Sequence, residues 1–259
     1  MILTVDLGNT AIHLGFYQGD TLVKTWATSS DLRKEKSEYL TLFKRYISDE
    51  GIDPTQVQGG ILSSVVPPLT NVIKEVFEKL FDIRIQVVGR RLKTGLAIHI
   101  DKPDELGADL VASAVGAKDK FGFPLLIIDL GTANKISIID QTGAFIGAVF
   151  TSGLRVSIDA LIVKTAQLPH VSLERPTHVI GRNTIDAMNS GATYGTASML
   201  TGLIGKIEQE LGYQTKHILL GGNAPFVREL LADNVIYAPD LQHWGLKLIY
   251  DKNFGERSL

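Results

Sequence analysis

The chain contains no cysteine, which excludes disulfide bonds, thiolate nucleophiles and cysteine-based zinc sites. It also has no excess of positive charge, because 26 Lys and Arg stand against 28 Asp and Glu. General nucleic-acid binding needs a basic surface and is therefore not expected. No run approaches the roughly 20 apolar residues of a membrane span, and the N-terminal residues lack the basic and apolar regions of a secretory signal. We expect a soluble, cytoplasmic protein with no nucleic-acid or membrane partner.

Several common catalytic and nucleotide-binding signatures are missing as well. The sequence has no Gly-x-x-x-x-Gly-Lys-[Ser/Thr], no Gly-x-Gly-x-x-Gly after a predicted strand, no His-Glu-x-x-His and no Gly-x-Ser-x-Gly. The six histidines are scattered without the spacing of metal ligands. P-loop, Rossmann, zinc-protease and serine-hydrolase sites are therefore unsupported.

One short string does occur twice, and the two copies are about half the 259-residue chain apart. Asp6-Leu7-Gly8 and Asp129-Leu130-Gly131 each follow an apolar, β-type run, and each precedes a second such run and a turn signal. Helical and strand patterns alternate through the rest of each half. We therefore predict two related domains, residues 1–120 and 121–259.

An Asp-x-Gly string after a strand suits phosphate binding. Glycine lets the backbone approach an anion, turn N–H groups can donate to phosphate oxygens, and the carboxylate can hold a cation. An ordinary hairpin turn is the alternative for one copy, and the recurrence favours the phosphate site. Gly221-Gly222, after a further apolar run, is another candidate for close approach of the backbone.

Asp109 is the other carboxylate of interest. Asp104, after Pro103, predicts the start of a helix that continues through Val115. A carboxylate near a helix N-terminus is stabilised as the anion, and Asp109 could accept a proton from a substrate hydroxyl. A purely structural helix-start acid is the alternative, which the residues alone leave open.

Several short motifs, taken in order, resemble those of type III pantothenate kinase, a bacterial family of the acetate kinase, sugar kinase, Hsp70 and actin superfamily. The resemblance runs nearly from end to end. The matching segments are Asp6-x-Gly-Asn-Thr10, Ser63-Ser64-Val65-Val66-Pro67-Pro68, Lys93-Thr94-Gly95-Leu96, Gly107-Ala108-Asp109, Asp129-Leu130-Gly131-Thr132-Ala133, Gly181-x-Asn183-Thr184 and Gly221-Gly222.

The resemblance implies an α/β fold of two ribonuclease H-like (actin-like ATPase) halves. Each half would be a mixed sheet flanked by helices, with the active site in the cleft between the halves. It also implies a homodimer that transfers the γ-phosphoryl group of ATP to the 4′-hydroxyl of pantothenate. This reaction gives 4′-phosphopantothenate, the first step of coenzyme A biosynthesis, and would use Mg²⁺ and a monovalent cation, K⁺ or NH₄⁺.

The resemblance also implies a role for individual residues. The ATP phosphates and metal would face a first loop made of Asp6, Leu7, Gly8, Asn9, Thr10, Ala11, Ile12 and His13. Thr132 would contact the nucleotide, and Asp129 would hold the monovalent cation. Asp109 would be the general base, and pantothenate would be bound by Gly107, Ala108, Asp109, Leu110 and Thr184.

The chain departs from the family pattern at four places beside this implied site. Leu110 replaces an Arg, and leucine cannot donate the charged hydrogen bonds that an Arg gives a carboxylate or phosphate. The other departures are Asn134-Lys135 for a pair of Thr, Ser152-Gly153 for Pro-Gly, and Ile100 for Tyr.

Two interpretations stay open on the sequence. In the first, the chain is a working kinase in which Arg155, Lys135 or Arg182 replaces the lost cation. In the second, it is a catalytically impaired relative that acts as a nucleotide-binding regulator. The kinase is favoured by four retained residues, Asp6, Asp109, Asp129 and Thr132.

Overall fold

The computed structural model describes residues 1–165 and 168–255. The chain forms two compact units by its own internal contacts. Unit 1 comprises Met1–Leu96, Lys102–Gly116 and the segment that begins at Leu241, and unit 2 comprises Ala97–Asp101 and Ala117–Asp240. The predicted division at residues 120 and 121 differs from these units mainly at the C-terminal segment, which belongs with unit 1.

The described residues contain ten strands and six α-helices. The strands are β1 (Ile2–Leu7), β2 (Ala11–Gln18), β3 (Thr21–Ser29), β4 (Gly59–Ser64), β5 (Ile85–Val87), β6 (Leu125–Leu130), β7 (Ala133–Ile139), β8 (Phe145–Ser152), β9 (Lys216–Leu220) and β10 (Val235–Tyr237). The helices are α1 (Lys36–Asp49), α2 (Pro67–Phe81), α3 (Ala108–Phe121), α4 (Leu154–Lys164), α5 (Thr184–Leu211) and α6 (Leu241–Phe254).

The two sheets have the same topology. Their strand orders are β3-β2-β1-β4-β5 in unit 1 and β8-β7-β6-β9-β10 in unit 2. In each sheet the first three strands in sequence are antiparallel hairpins, and the last two run parallel to the first. Parallel neighbours need long crossovers, and helices supply them in both units. This arrangement confirms the predicted class of two mixed sheets flanked by helices.

Both faces of β1 in unit 1 are covered. Val5 belongs to the apolar core that α1 and α2 form with the sheet, where the rings of Phe43 and Phe77 lie 4.5 Å apart. Thr4 points to the opposite face, because side chains alternate along a strand, and it contacts His243 of α6. The C-terminal helix therefore completes unit 1 by packing on its sheet.

The core of unit 2 forms between its sheet and the helices α4 and α5. Leu126 and Ile128 of β6 pack with Leu154 of α4 and Leu200 of α5. None of the helices in residues 1–165 and 168–255 is both long and apolar enough to cross a bilayer.

The helix start predicted at Asp104 is wrong. Pro103–Glu105 forms a short 3-10 turn, and the extended backbone of Leu106 separates that turn from α3. Asp104 instead forms an ion pair with Arg90. Because α3 begins at Ala108, Asp109 lies in its first turn.

Candidate active site

The first Asp-Leu-Gly string forms the tight connection between β1 and β2, as the sequence predicted. Asp6 lies opposite His13 in the strand register. The Gly8 N–H donates to the Ala11 carbonyl at 2.9 Å, and the Ser30 hydroxyl donates to the Gly8 carbonyl at 2.6 Å. These bonds hold the connection in a defined shape directly after the aspartate.

The residues of this first loop divide into anchors and exposed groups. Leu7 and Ile12 are fully buried and fix the two strand ends in the core. Asn9, Thr10 and His13 are exposed. The hard oxygen atoms of Asp6, Asn9 and Thr10 are of the type that Mg²⁺ prefers.

A buried histidine lies beneath this hairpin. The Thr4 hydroxyl donates to the Gly15 carbonyl at 3.0 Å and lies 2.9 Å from Nδ1 of His243. Since the hydroxyl has one hydrogen, Nδ1 is the donor to Thr4, which assigns the tautomer. Burial, with a smaller effect of the nearby His13 charge, lowers the pKa of His243 to about 3. His243 is therefore a neutral hydrogen-bonding residue near pH 7.

The second Asp-Leu-Gly string forms the matching connection between β6 and β7. Asp129 lies opposite Lys135 in the register, and the lysine Nζ is 2.7 Å from Asp129 Oδ2. The two side chains are 13% and 17% exposed, so this is a largely buried ion pair. The preceding residue on β7, Asn134, is buried and donates to the Ser152 carbonyl at 2.9 Å.

Two later segments contact the second loop from outside the hairpin. Asn223 Nδ2 donates to the Gly131 carbonyl at 2.9 Å, and Gly153 N–H donates to the Thr132 carbonyl at 3.0 Å. A Cβ at Gly153 would lie 2.3 Å from the Gly131 carbonyl oxygen, so only glycine fits there. Sequence reasoning missed Asn223, although it directly follows the Gly221-Gly222 pair.

Gly221 explains why a glycine pair follows β9. Its φ is +97°, and a Cβ there would lie 2.5 Å from Asp129 Oδ1 and 2.6 Å from the Leu130 nitrogen. The backbone therefore passes directly beside the aspartate. Asp129 is thus enclosed by Lys135 at one oxygen and by Gly221 near the other.

Asp109 is placed at a helix N-terminus, as expected. Its Oδ1 accepts a hydrogen bond from the Leu110 N–H at 2.8 Å, and Gly107 and Ala108 directly precede it. The positive end of the helix dipole stabilises a carboxylate at this position. Leu110 is 5% exposed, so its side chain is buried.

Thr184 is the first residue of the long helix α5. Asn183 caps this helix, because its Oδ1 accepts from the Asp186 N–H at 2.8 Å and its Nδ2 donates to Asp186 Oδ2 at 2.7 Å. The conformation of the Asn183-Thr184 motif is therefore set by helix capping. Thr184 itself is exposed.

The structure divides the predicted site residues between the units. Unit 2 contributes Asp129, Thr132 and Thr184, and unit 1 contributes the rest, namely Asp6, Leu7, Gly8, Asn9, Thr10, Ala11, Ile12, His13, Gly107, Ala108, Asp109 and Leu110. No group of three or more acidic, histidine or cysteine residues suited to a metal ion occurs among the described residues.

Comparison with known proteins gives the family. The family model for type III pantothenate kinase matches residues 2–206. A type III pantothenate kinase of an Exiguobacterium species is 40% identical over 254 residues, which cover 98% of this chain and 99% of that protein. The enzyme of the same name from Dehalococcoides mccartyi is 35% identical, with 97% and 98% covered.

A solved structure supports the fold independently of close sequence similarity. Component A of the (R)-2-hydroxyglutaryl-CoA dehydratase of Acidaminococcus fermentans superposes with a TM-score of 0.54 at 14% identity, covering 96% of both chains. At this identity the likeness concerns the fold alone. The fold, the ordered motifs and the extent of the sequence matches agree, and this chain belongs to the type III pantothenate kinase family.

Proposed function

We propose that this protein transfers the γ-phosphoryl group of ATP to the 4′-hydroxyl of pantothenate, the first step of coenzyme A biosynthesis. The observation that carries the proposal is the 40% identity to a type III pantothenate kinase along 98% of the chain. The two Asp-Leu-Gly hairpins and Asp109 support the proposal because their residue types suit phosphate binding and proton transfer. The alternative of an impaired regulator is not favoured, because the match covers the whole kinase rather than one binding module.

Asp6 and its loop would bind the ATP phosphates and Mg²⁺. The oxygen atoms of Asp6, Asn9 and Thr10 suit a hard cation, and glycine at position 8 lets phosphate oxygens approach the backbone. Mg²⁺, when bound, neutralises charge on the phosphates. Thr132, exposed in the second loop, would contact the nucleotide.

Asp109 would act as the general base. Its carboxylate accepts the proton of the pantothenate 4′-hydroxyl as the hydroxyl oxygen bonds to the γ-phosphorus. The bond from that phosphorus to the β–γ bridging oxygen breaks, and ADP leaves with the electron pair. Such a reaction depends mainly on positioning and charge stabilisation, and the fixed place of Asp109 in the first turn of α3 serves both.

Pantothenate would be bound by Gly107 to Leu110 and by Thr184. The missing Arg at position 110 is replaced by a buried leucine, so the substrate carboxylate needs another cation. Lys135 is already paired with Asp129. This leaves Arg155 and Arg182, both exposed on unit 2, as the candidates from the sequence.

The test is pantothenate-dependent ADP formation by the purified protein with ATP and Mg²⁺. Asp109→Asn removes the proton acceptor and should lower kcat by about 10²- to 10⁴-fold. Asp119→Asn, on the exposed end of the same helix, is the matched control and should leave kcat unchanged. Equal rates for the wild type and Asp109→Asn would refute the assignment of the base.

We also propose that the protein acts as a homodimer in the cytoplasm, where its substrates ATP and pantothenate are used. Unit 2 exposes several large apolar side chains, and burial of such side chains favours association. They include Val163 at 78% and Ile180 at 82% exposed, with Leu161, Val179 and Ile185. Sedimentation velocity at micromolar concentration should give twice the mass of the chain, and Ile180→Asp should reduce it. A wild-type monomer would contradict the proposal.

A further inference from the structure

Asp129 does not fit the role of a site for a soluble monovalent cation. The family resemblance implies K⁺ or NH₄⁺ at this carboxylate, yet its Oδ2 is 2.7 Å from the ammonium group of Lys135. A second cation at the same oxygen would lie close to that ammonium group, and like charges at such a distance repel. The contact is largely buried, so solvent and salt screen it little.

The position of Lys135 is fixed by the fold. It lies directly opposite Asp129 across the β6–β7 hairpin, where side chains of facing residues are within contact distance. Asp129 Oδ1 is confined from another direction by the backbone of Gly221. Asn134, the neighbour of Lys135, is tied to the Ser152 carbonyl of β8. A hydrogen-bonded strand therefore positions the Lys135 ammonium group beside Asp129.

We propose that the Lys135 ammonium replaces the soluble monovalent cation, so that this enzyme transfers phosphoryl groups without K⁺ or NH₄⁺. A lysine ammonium carries the same single positive charge as either ion and shares N–H donors with NH₄⁺. Because it is tethered, it is present at a high effective concentration whatever the salt in solution. The proposal rests on the proposed kinase function.

The first experiment compares rates in tetramethylammonium chloride and in KCl or NH₄Cl at equal ionic strength. The wild type should change by less than about twofold. Lys135→Thr, which restores the residue type of the family pattern, should lose about 10- to 100-fold in tetramethylammonium chloride, the effect of removing a charged hydrogen bond. K⁺ or NH₄⁺ should restore most of that loss.

A matched control separates this effect from the general loss of a strand lysine. Lys24 on β3 also forms an ion pair, with its Nζ 2.8 Å from Glu50 Oε2. Lys24→Thr should retain the wild-type rate in every salt. A wild type that needs K⁺ or NH₄⁺ for activity, with a stimulation of about tenfold or more, would overturn the proposal even if Lys135→Thr failed to fold.

A second measurement does not depend on turnover. KCl, compared with tetramethylammonium chloride, should raise the Tm of Lys135→Thr by at least about 2 °C through ion binding to the folded state. It should leave the Tm of the wild type unchanged, and an equal rise in both proteins would overturn the proposal. Absence of wild-type turnover in all salts would refute the kinase function, while this Tm comparison would still decide on Lys135.

Discussion

The two Asp-Leu-Gly hairpins occupy equivalent places in two sheets of the same topology, but their aspartates have different neighbours. Asp6 faces His13 across its hairpin, and Asp129 faces Lys135 at the equivalent position. The residue opposite Asp6 is an exposed imidazole. An aspartate opposite a buried ammonium group already has its counter-charge. The same local structure thus places two aspartates in different electrostatic surroundings.

The segments beside the two aspartates differ in the same way. Register pairs Asp6 with Ser63 of β4 and Asp129 with Leu220 of β9. The residue that follows is Ser64 in unit 1 and Gly221 in unit 2. Ser64 contacts the Thr70 hydroxyl at 2.7 Å within its own segment, whereas Gly221 lies against Asp129. Because Gly221 has no side chain, the backbone of unit 2 lies closer to Asp129 than a serine in the place of Gly221 would permit.

The largest effect on stability and kcat is expected when a side chain is added at Gly221. In Gly221→Ala, a Cβ would lie 2.5 Å from Asp129 Oδ1 in a backbone conformation with positive φ. The strain should cost about 1–3 kcal/mol of unfolding free energy, and the displaced carboxylate should lower kcat about 100-fold. Urea denaturation and steady-state kinetics would measure the two effects.

The matched control for that variant is Gly147→Ala on β8 of the same sheet. Its Cβ would meet no atom within 4 Å, so we expect kcat and stability close to those of the wild type. Retention of full activity by Gly221→Ala would mean that the backbone at Gly221 does not confine Asp129.

A smaller effect is expected in the pH dependence of stability, because the buried histidines of the two units have different partners. His243 in unit 1 hydrogen-bonds a neutral hydroxyl, Thr4, whereas His217 in unit 2 lies 3.0 Å from the Glu208 carboxylate. The pKa of His243 in the folded state, about 3, is below the value of roughly 6.5 for an unfolded chain. Between these values the unfolded chain binds a proton that the folded protein does not. Stability should therefore fall as the pH drops below about 6.5, by up to about 1.4 kcal/mol per pH unit from this residue.

The measurement is urea denaturation of the wild type and His243→Gln at pH 7, 6 and 5. The variant keeps a group that can hydrogen-bond to Thr4 but does not titrate. Its stability should depend less steeply on pH than that of the wild type below pH 6.5, and identical slopes would contradict the assignment of His243 as a neutral buried histidine.

The sequence predicted the features of the fold that depend on short segments. Both Asp-Leu-Gly hairpins could be found because an apolar strand, a glycine turn and a second strand are neighbours in the chain. The packing of α6 on β1 could not, because the contact between Thr4 and His243 joins residues at opposite ends of the sequence. The start of α3 was misplaced because Asp104 is a good cap, and the extended backbone at Leu106 has no clear local signal.

For the candidate site, too, short strings and long-range contacts differ in how far the sequence predicts them. Motif order identified Asp6, Asp109 and Asp129, since each lies in a short string with a chemical reason for its residue types. Lys135 was considered only as a replacement for the missing Arg, because its partner depends on the register of the hairpin. Asn223 was missed, since its bond to Gly131 spans 92 residues. Contacts set by register and long-range packing were the part that residue patterns could not supply.

The central claim is tested most directly by identifying the product formed from ATP and pantothenate with Mg²⁺. Mass spectrometry of the reaction mixture should detect 4′-phosphopantothenate in an amount equal to the ADP released, and Asp109→Asn should form far less of both. ADP release that does not depend on pantothenate, or the absence of a phosphorylated pantothenate, would contradict the account.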